Sequence, residues 1–229
     1  MKFKTLLFVL ASALIFIKCT PYYQAIDFAD KTSDHQLIAV LPFEMVYTGI
    51  KPDKLTDADI KEIEMAESQA FQISFANAVL RSTKAGKKQI RISLQDYQTT
   101  NKLLKDNGID VLSSWNESPE KLAEILNVDA VIKARIQKHR LMSDLESYGI
   151  SVGIHIIQVL GGNVIWPWLP ANVTKSKEIN TDYRLINRAD GKVLWSIFFD
   201  VDADWRQRSN EIIDNVNRRA ARKFPYRIN

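Results

Sequence analysis

The residue with the most distinctive chemistry is Cys19, the only cysteine among the 229 residues of the chain. It follows a start that carries Lys2 and Lys4 and an apolar run from Leu6 to Ile17. A run of about 12 residues is too short to cross a hydrocarbon core of about 30 Å and is typical of an export signal. A lone thiol just after such a signal is where signal peptidase II cuts and a diacylglycerol thioether forms. The pattern predicts a lipoprotein that begins at Cys19.

The residue before the cysteine departs from this pattern, because Lys18 stands where such signals usually carry a small side chain. Two alternatives therefore remain, an uncleaved amino-terminal anchor and ordinary cleavage by signal peptidase I. The lipoprotein interpretation and both alternatives send the chain across the inner membrane. A chain without further cysteines suits an oxidising periplasm. We expect the chain to be located at the outer membrane, facing the periplasm. We expect no cofactor apart from the covalent diacylglycerol and palmitate at Cys19.

A group of carboxylates near the end of the chain has the spacing of a calcium-binding loop. Asp200, Asp202, Asp204 and Glu211 occupy positions one, three, five and twelve of such a loop. Position six, where the sharp turn requires glycine, is Trp205. These residues are therefore weak calcium candidates, and the polar face of a strand followed by a helix start is the favoured interpretation.

Gly149, Ser151 and Gly153 form a literal G-x-S-x-G, the pattern of a nucleophile elbow. An elbow also needs an acid and a histidine that return from later elements. The only later histidine is His155, which is too close in sequence to do so. A serine hydrolase is therefore the third alternative for function, and we expect no catalytic residue and no metal enzyme.

The composition is that of an ordinary globular protein, with 46% hydrophobic and 25% charged residues. Lys2, Lys4 and Lys18 account for three units of the formal net charge of +4. The charge remaining after the signal gives no reason to expect nucleic-acid binding. Four basic residues cluster near the carboxyl end, namely Arg218, Arg219, Arg222 and Lys223. We expect them at the solvated surface, with anionic headgroups or peptidoglycan as alternative contacts.

The hydrophobic pattern divides the chain into a signal at 1–18, a polar tether at 19–35 and a single domain at 36–229. Strands are predicted at Leu37–Phe43, Gln89–Leu94, Val128–Leu141, Ile179–Ile186 and Val193–Val201. Helices are predicted from Thr56 or Asp57 to Arg81, at Asp96–Lys105, from Ser118, and at Ser209–Lys223. The order β-α-β-α-α-β-β-β-α predicts a mixed α/β (α+β) fold, a mixed central sheet with helices packed on it.

The segment Ser147–Thr174 contains no Asp, Glu, Lys or Arg. Glycines and prolines interrupt it, and a membrane span here would separate strands that belong to one sheet. It is a buried crossover, an oligomer contact or an apolar hairpin that dips into a membrane, and we favour burial or partner binding. Its apolar residues Ile154, Trp166, Trp168 and Leu169 are the predicted partner or membrane contacts.

Three stretches together resemble a known group of envelope lipoproteins. Leu37–Glu44 (LIAVLPFE), Leu126–Arg135 (LNVDAVIKAR) and Tyr183–Ser196 (YRLINRADGKVLWS) are similar to proteins related to the curli-secretion protein CsgG and to the amino-terminal domain of TolB. The ending, Ile213–Tyr226 (IDNVNRRAARKFPY), resembles uncharacterised lipoproteins of Bacteroidetes-type bacteria.

The resemblance implies a CsgG/TolB-like mixed sheet and a role as a binding or assembly module without catalysis. The partner would be an envelope protein or peptidoglycan, with the lipid anchor as the membrane contact. The alternative is an oligomeric, CsgG-like secretion or transport subunit, in which copies of the chain associate with one another. The residues that carry the resemblance build the fold, so they predict architecture better than activity.

Overall fold

The computed structural model describes residues 22–48, 56–82, 89–140, 176–202 and 209–227. The strands in these ranges are β1 (Tyr22–Gln24), β2 (Leu37–Val40), β3 (Glu44–Thr48), β4 (Ser93–Leu94), β5 (Ala130–Arg140), β6 (Ser176–Asn187) and β7 (Val193–Asp202). The helices are α1 (Phe28–Lys31), α2 (Asp57–Arg81), α3 (Tyr97–Asp106), α4 (Val111–Ser114), α5 (Pro119–Ile125) and α6 (Ser209–Ala221). None of these helices is long and apolar enough to cross a membrane.

All seven strands belong to one sheet, in the order β1-β7-β6-β5-β2-β4, with β3 alongside β5. The long strands β5, β6 and β7 are antiparallel, and β1 adds to the outer edge of β7 in antiparallel orientation. On the other side, β2 and β3 both run parallel to β5, and β4 runs parallel to β2. The predicted mixed sheet with helices packed on it is confirmed.

Helices α2 and α6 cover one face of this sheet and pack against each other. Thr56 caps α2 with its hydroxyl and Asp59 returns a carboxylate to the Thr56 backbone, so the predicted helix start is confirmed. Beneath the helices lies an aromatic cluster to which α2, β6, β7 and two adjoining loops contribute. It includes Phe43, Phe71, Phe75, Tyr183, Trp195 and Phe224. We call the face of the sheet beneath α2 and α6 the covered face.

Helices α3 and α5 lie on the opposite face, but only over β2 and the adjoining ends of β5 and β6. Asp96 caps α3, Ser118 caps α5, and Pro119 is the first residue of α5. The helices predicted at Asp96–Lys105 and from Ser118 are therefore confirmed. Ala39, Leu41 and Val131 point into this second, smaller core. The rest of this face carries no helix among the described residues, and we call it the open face.

The strands predicted at Ile179–Ile186 and Val193–Val201 are also confirmed; as β6 and β7 they form a hairpin, which Gly191 closes with φ of 64°. Two predictions differ from the structure in extent. The strand expected at Gln89–Leu94 pairs as β4 only at Ser93–Leu94, with a separate bridge between Ile90 and Arg227. Strand β3 was not expected, because the apolar run ends at Pro42 while pairing resumes from Glu44.

The structure contradicts the predicted tether from residue 22 onward. Tyr22, Tyr23 and Gln24 pair with Ile197, Ser196 and Trp195. Phe28 and Thr32 are buried, and Phe28 joins the core of the covered face. The folded domain therefore already includes residues 22–35, ahead of the predicted start at Gln36, because β7 holds the beginning of this polar stretch through backbone pairing that composition does not reveal.

Candidate functional site

The open face follows from strict alternation along β5. Ala130, Ile132, Ala134 and Ile136 point into the covered core, whereas Lys133 and Arg135 point away from it. The side chains of β6 and β7 alternate between the two faces of the sheet in the same way. Those on the open face include Asn180, Asp182, Arg184, Ser196, Phe198 and Asp200. The described part of β6 and β7 is therefore polar and charged on this face apart from Phe198, a large apolar side chain that is 58% exposed.

One cross-strand row on this face consists of Glu44, Arg135, Asp182 and Phe198, each directly opposite the next in register. The Arg135 guanidinium lies 2.6 Å from a carboxylate oxygen of Glu44. This hydrogen bond, together with the charge of Glu44, raises the pKa of Arg135. Directly opposed charges of opposite sign stabilise neighbouring strands. The row therefore holds a fixed pattern of charge that ends at an exposed aromatic ring.

The next row consists of Lys133, Arg184, Ser196 and Tyr23. Arg184 lies 2.5 Å from Asp182 in the first row, and that hydrogen bond raises the pKa of Arg184. At the other end, the Lys133 ammonium donates to the carbonyl oxygen of Trp115 at 2.7 Å. Burial of the Lys133 side chain at this position lowers its pKa. The two arginines stay exposed, whereas the Lys133 ammonium is held by a backbone carbonyl, so Arg184 is one cation that a ligand can reach.

A cleft of about 560 Å³ opens where the two rows reach the edge of the sheet. Its lining includes Tyr23, Lys31, Asp182, Arg184, Lys192 and Phe198. We call it the edge cleft. Tyr23 is 51% exposed, so two aromatic side chains and several charged groups line one opening.

Lys31 of α1 forms an ion pair with Asp190 in the turn between β6 and β7. The hydrogen bond from Lys31 lowers the pKa of Asp190, and the same bond raises the pKa of Lys31. The contact ties α1 to the hairpin. It therefore fixes one rim of the edge cleft relative to the strands that form its floor.

Among the described residues, no group of three or more His, Cys, Asp or Glu side chains could hold a metal ion. Asp200 and Asp202 lie on the open face, and Asp200 accepts a hydrogen bond of 2.7 Å from Asn180. Glu211 belongs to α6, which packs on the covered face, and Asp204 lies outside the described ranges. The calcium prediction thus has no described cluster to support it.

The other predicted site residues also lie outside the described ranges. These are Cys19, Ile154, Trp166, Trp168 and Leu169, together with the elbow residues Gly149, Ser151, Gly153 and His155. Their predicted roles stay predictions.

Sequence reasoning missed the edge cleft. Its only local signal is the presence of polar, charged or aromatic side chains at alternate positions, at Asp182 and Arg184 on one strand and at Ser196 and Phe198 on the next.

Neither a protein-family model nor a curated protein matches this chain. Its fold is similar to that of lipoprotein GNA1162 from Neisseria meningitidis, with a TM-score of 0.44, 12% identity, and coverage of 82% of this chain and 94% of that one. It is also similar to the PelC dodecamer from Paraburkholderia phytofirmans, with a TM-score of 0.42, 9% identity, and coverage of 89% and 94%.

The carboxyl-terminal domain of LpoB from Salmonella enterica is a third similar structure, with a TM-score of 0.35 and 12% identity. That likeness covers 77% of this chain and 93% of the other. Because all three TM-scores lie below 0.5, we base the functional proposal on the residues of this chain.

Proposed function

We propose that this chain is a non-enzymatic lipoprotein of the bacterial cell envelope that is anchored at Cys19 and binds an envelope protein through its open face. One observation carries the proposal. Helices α2 and α6 cover one face of the sheet, while the other face leaves Phe198, Tyr23 and Arg184 exposed around a cleft. Exposed aromatic and arginine side chains in a concave site are the residues that most often dominate binding energy.

The charges of the edge cleft indicate the partner's chemistry. The side chains of Arg184 and Lys192 are 54% and 68% exposed, whereas those of the lining carboxylates Asp182 and Asp27 are 26% and 47% exposed. The cations therefore reach furthest into solvent. They complement a protein segment that presents a carboxylate beside an apolar side chain, which would pack against Phe198.

The proposed anchor explains why a modest site would suffice. Attachment to the outer membrane, facing the periplasm, confines the domain and its membrane-associated partner to one layer, which raises their effective concentration. Peptidoglycan as the ligand, and a second copy of the chain in a secretion assembly, are the competing possibilities that the experiment must separate.

Labelling with radioactive palmitate tests the anchor. The wild-type chain should incorporate label and the Cys19→Ala variant should not. Label in both chains, or in neither, would contradict lipid attachment at Cys19.

A photo-crosslinking amino acid placed at position 198 tests the site, with position 102 on the exposed surface of α3 as the control. The captured protein is then purified and titrated against the domain. We expect Arg184→Glu to weaken that affinity by at least tenfold and Lys102→Glu to leave it unchanged. Equal crosslinking at both positions, an affinity insensitive to Arg184→Glu, or capture of only a second copy or of peptidoglycan would overturn the proposed partner.

A further inference from the structure

Exposed large hydrophobic side chains concentrate at one edge of the sheet. Of the five such residues in the described chain, Tyr22, Tyr23 and Ile26 lie within five consecutive positions, and Ile26 is fully exposed. Single exposed hydrophobic residues need no explanation, but a contiguous group of them marks a surface that contacts something.

Basic side chains in α6 and directly after it lie near this group. The Lys223 ammonium lies 5.4 Å from the centroid of the Tyr22 ring, which brings the end of α6 against β1. One helical turn earlier, the Arg219 guanidinium lies 4.5 Å from the centroid of the Phe199 ring on β7. Arg222 is exposed next to Lys223. The same edge of the molecule therefore carries aromatic rings, an exposed isoleucine and at least two accessible cations.

The position of β1 in the chain fixes what this edge can reach. Tyr22 follows Cys19 by three residues, and three fully extended residues span at most about 11 Å. A diacylglycerol on Cys19 has its chains in the hydrocarbon layer, beneath a headgroup layer of about 5 to 8 Å. Because β1 is paired with β7, no long tether separates the lipid from the domain. Tyr22 must then lie within or directly above the headgroups.

We propose that Tyr22, Tyr23, Ile26, Arg222 and Lys223 form a surface that docks on an anionic phospholipid bilayer. We call it the membrane edge, and it rests on the proposed anchor at Cys19. Tyrosine rings are favoured at the headgroup level, the isoleucine enters the acyl boundary, and the cations pair with phosphate groups. In this orientation the sheet stands on its β1 edge, and the edge cleft opens sideways next to the membrane.

Site-directed spin labelling tests the orientation in the lipidated protein. The full chain is produced with its signal, purified from membranes and placed in nanodiscs of phosphatidylethanolamine and phosphatidylglycerol. An Ile26→Cys chain carries one reactive thiol, because the lipid blocks Cys19. Its nitroxide should be accessible to oxygen and shielded from a water-soluble nickel complex, whereas a Lys102→Cys label should show the reverse.

Two results would overturn the docking. The first is equal nickel accessibility at positions 26 and 102 in protein whose mass includes the lipid. The second is a label at position 26 that is shielded from both reagents, because that would indicate a second copy covering β1. A mass without lipid would instead show that the proposed anchor fails, while the docking surface is still tested by vesicle binding.

Vesicle binding uses residues 19–229 with Cys19→Ser, which contain every described element. Affinity for phosphatidylglycerol vesicles should fall about 25-fold in the Arg222→Gln/Lys223→Gln variant, at about fivefold per cation. The matched variant Lys102→Gln/Lys105→Gln removes the same charge from exposed positions on α3 and should change affinity less than twofold. Equal losses in the two variants, or no loss in either, would overturn the proposal.

Discussion

The ammonium group of Lys138 lies 2.9 Å from a carboxylate oxygen of Glu67, and the two side chains are only 2% and 3% exposed. Tyr47 also donates a hydrogen bond to this carboxylate, and the Lys138 ammonium lies 5.1 Å from the centroid of the Phe71 ring. The pair joins β5 to α2 inside the covered face. It therefore links the sheet to its main helix through charge as well as through apolar packing.

Removing one member of this pair should be strongly destabilising, because the other charge stays buried. We expect Lys138→Met to lower the free energy of unfolding by about 3 to 5 kcal/mol, measured by urea denaturation. Adding Glu67→Leu should restore part of that loss. In the exposed pair of Lys102 and Asp106, Lys102→Met should cost no more than about 1 kcal/mol. Equal costs for the two lysine variants would contradict a buried ion pair.

The early part of the domain yields a second prediction. Phe28 is buried against Tyr226, with ring centroids 5.4 Å apart, although it lies within the stretch whose composition predicts a tether. Phe28→Ala should therefore destabilise the fold by about 3 to 5 kcal/mol. Ile26→Ala, two residues away and fully exposed, should change stability by less than about 0.5 kcal/mol. Thermal unfolding of both variants checks this, and equal stabilities would favour a tether.

Local signals explain which elements were predictable. The start of α2 depends on Thr56 and Asp59, three residues apart, and the start of α5 depends on Ser118 and the following proline. Strand β1 has no such signal, because its three side chains are all exposed and only pairing with β7 makes it a strand. The edge cleft likewise combines α1, β1, β6 and β7, so its composition depends on the register of the sheet.

Two buried tyrosines predict a loss of stability at alkaline pH. Burial raises the pKa of Tyr183 well above its usual value of 10, and it also raises the pKa of Tyr226. Tyr183 donates to Asn217 at 2.7 Å, and Tyr226 lies 2.6 Å from the Nδ1 atom of His35. Below pH 10 both tyrosine hydroxyl groups stay protonated in the folded and in the unfolded state. Above pH 10 the unfolded state loses these protons first, so the folded state binds more protons and its stability falls.

Each tyrosine should contribute a slope of up to about 1.4 kcal/mol per pH unit. We expect Tyr226→Phe to flatten the decline of unfolding free energy between pH 10 and 11, measured by urea denaturation at each pH. Adding Tyr183→Phe should flatten it further, even though the second variant also loses its hydrogen bond to Asn217. Identical slopes in the wild type and in the double variant would contradict this assignment.

Residues of the edge cleft should be dispensable for folding, which separates binding from stability in the proposed function. Phe198 packs on the open face outside both buried cores, and the Arg184 pair with Asp182 is exposed to solvent. Exposed pairs contribute at most about 1 kcal/mol, and surface substitutions usually change stability by less than about 0.5 kcal/mol. The free energies of unfolding of Phe198→Ser and Arg184→Glu should therefore lie within about 1 kcal/mol of the wild-type value, while binding of the envelope partner is lost.

The neighbouring residue Phe199 provides the control. Phe199→Ser replaces a buried ring and should destabilise the domain by several kcal/mol. If Phe198→Ser were as destabilising as Phe199→Ser, Phe198 would be a core residue and the edge cleft would not be a binding site.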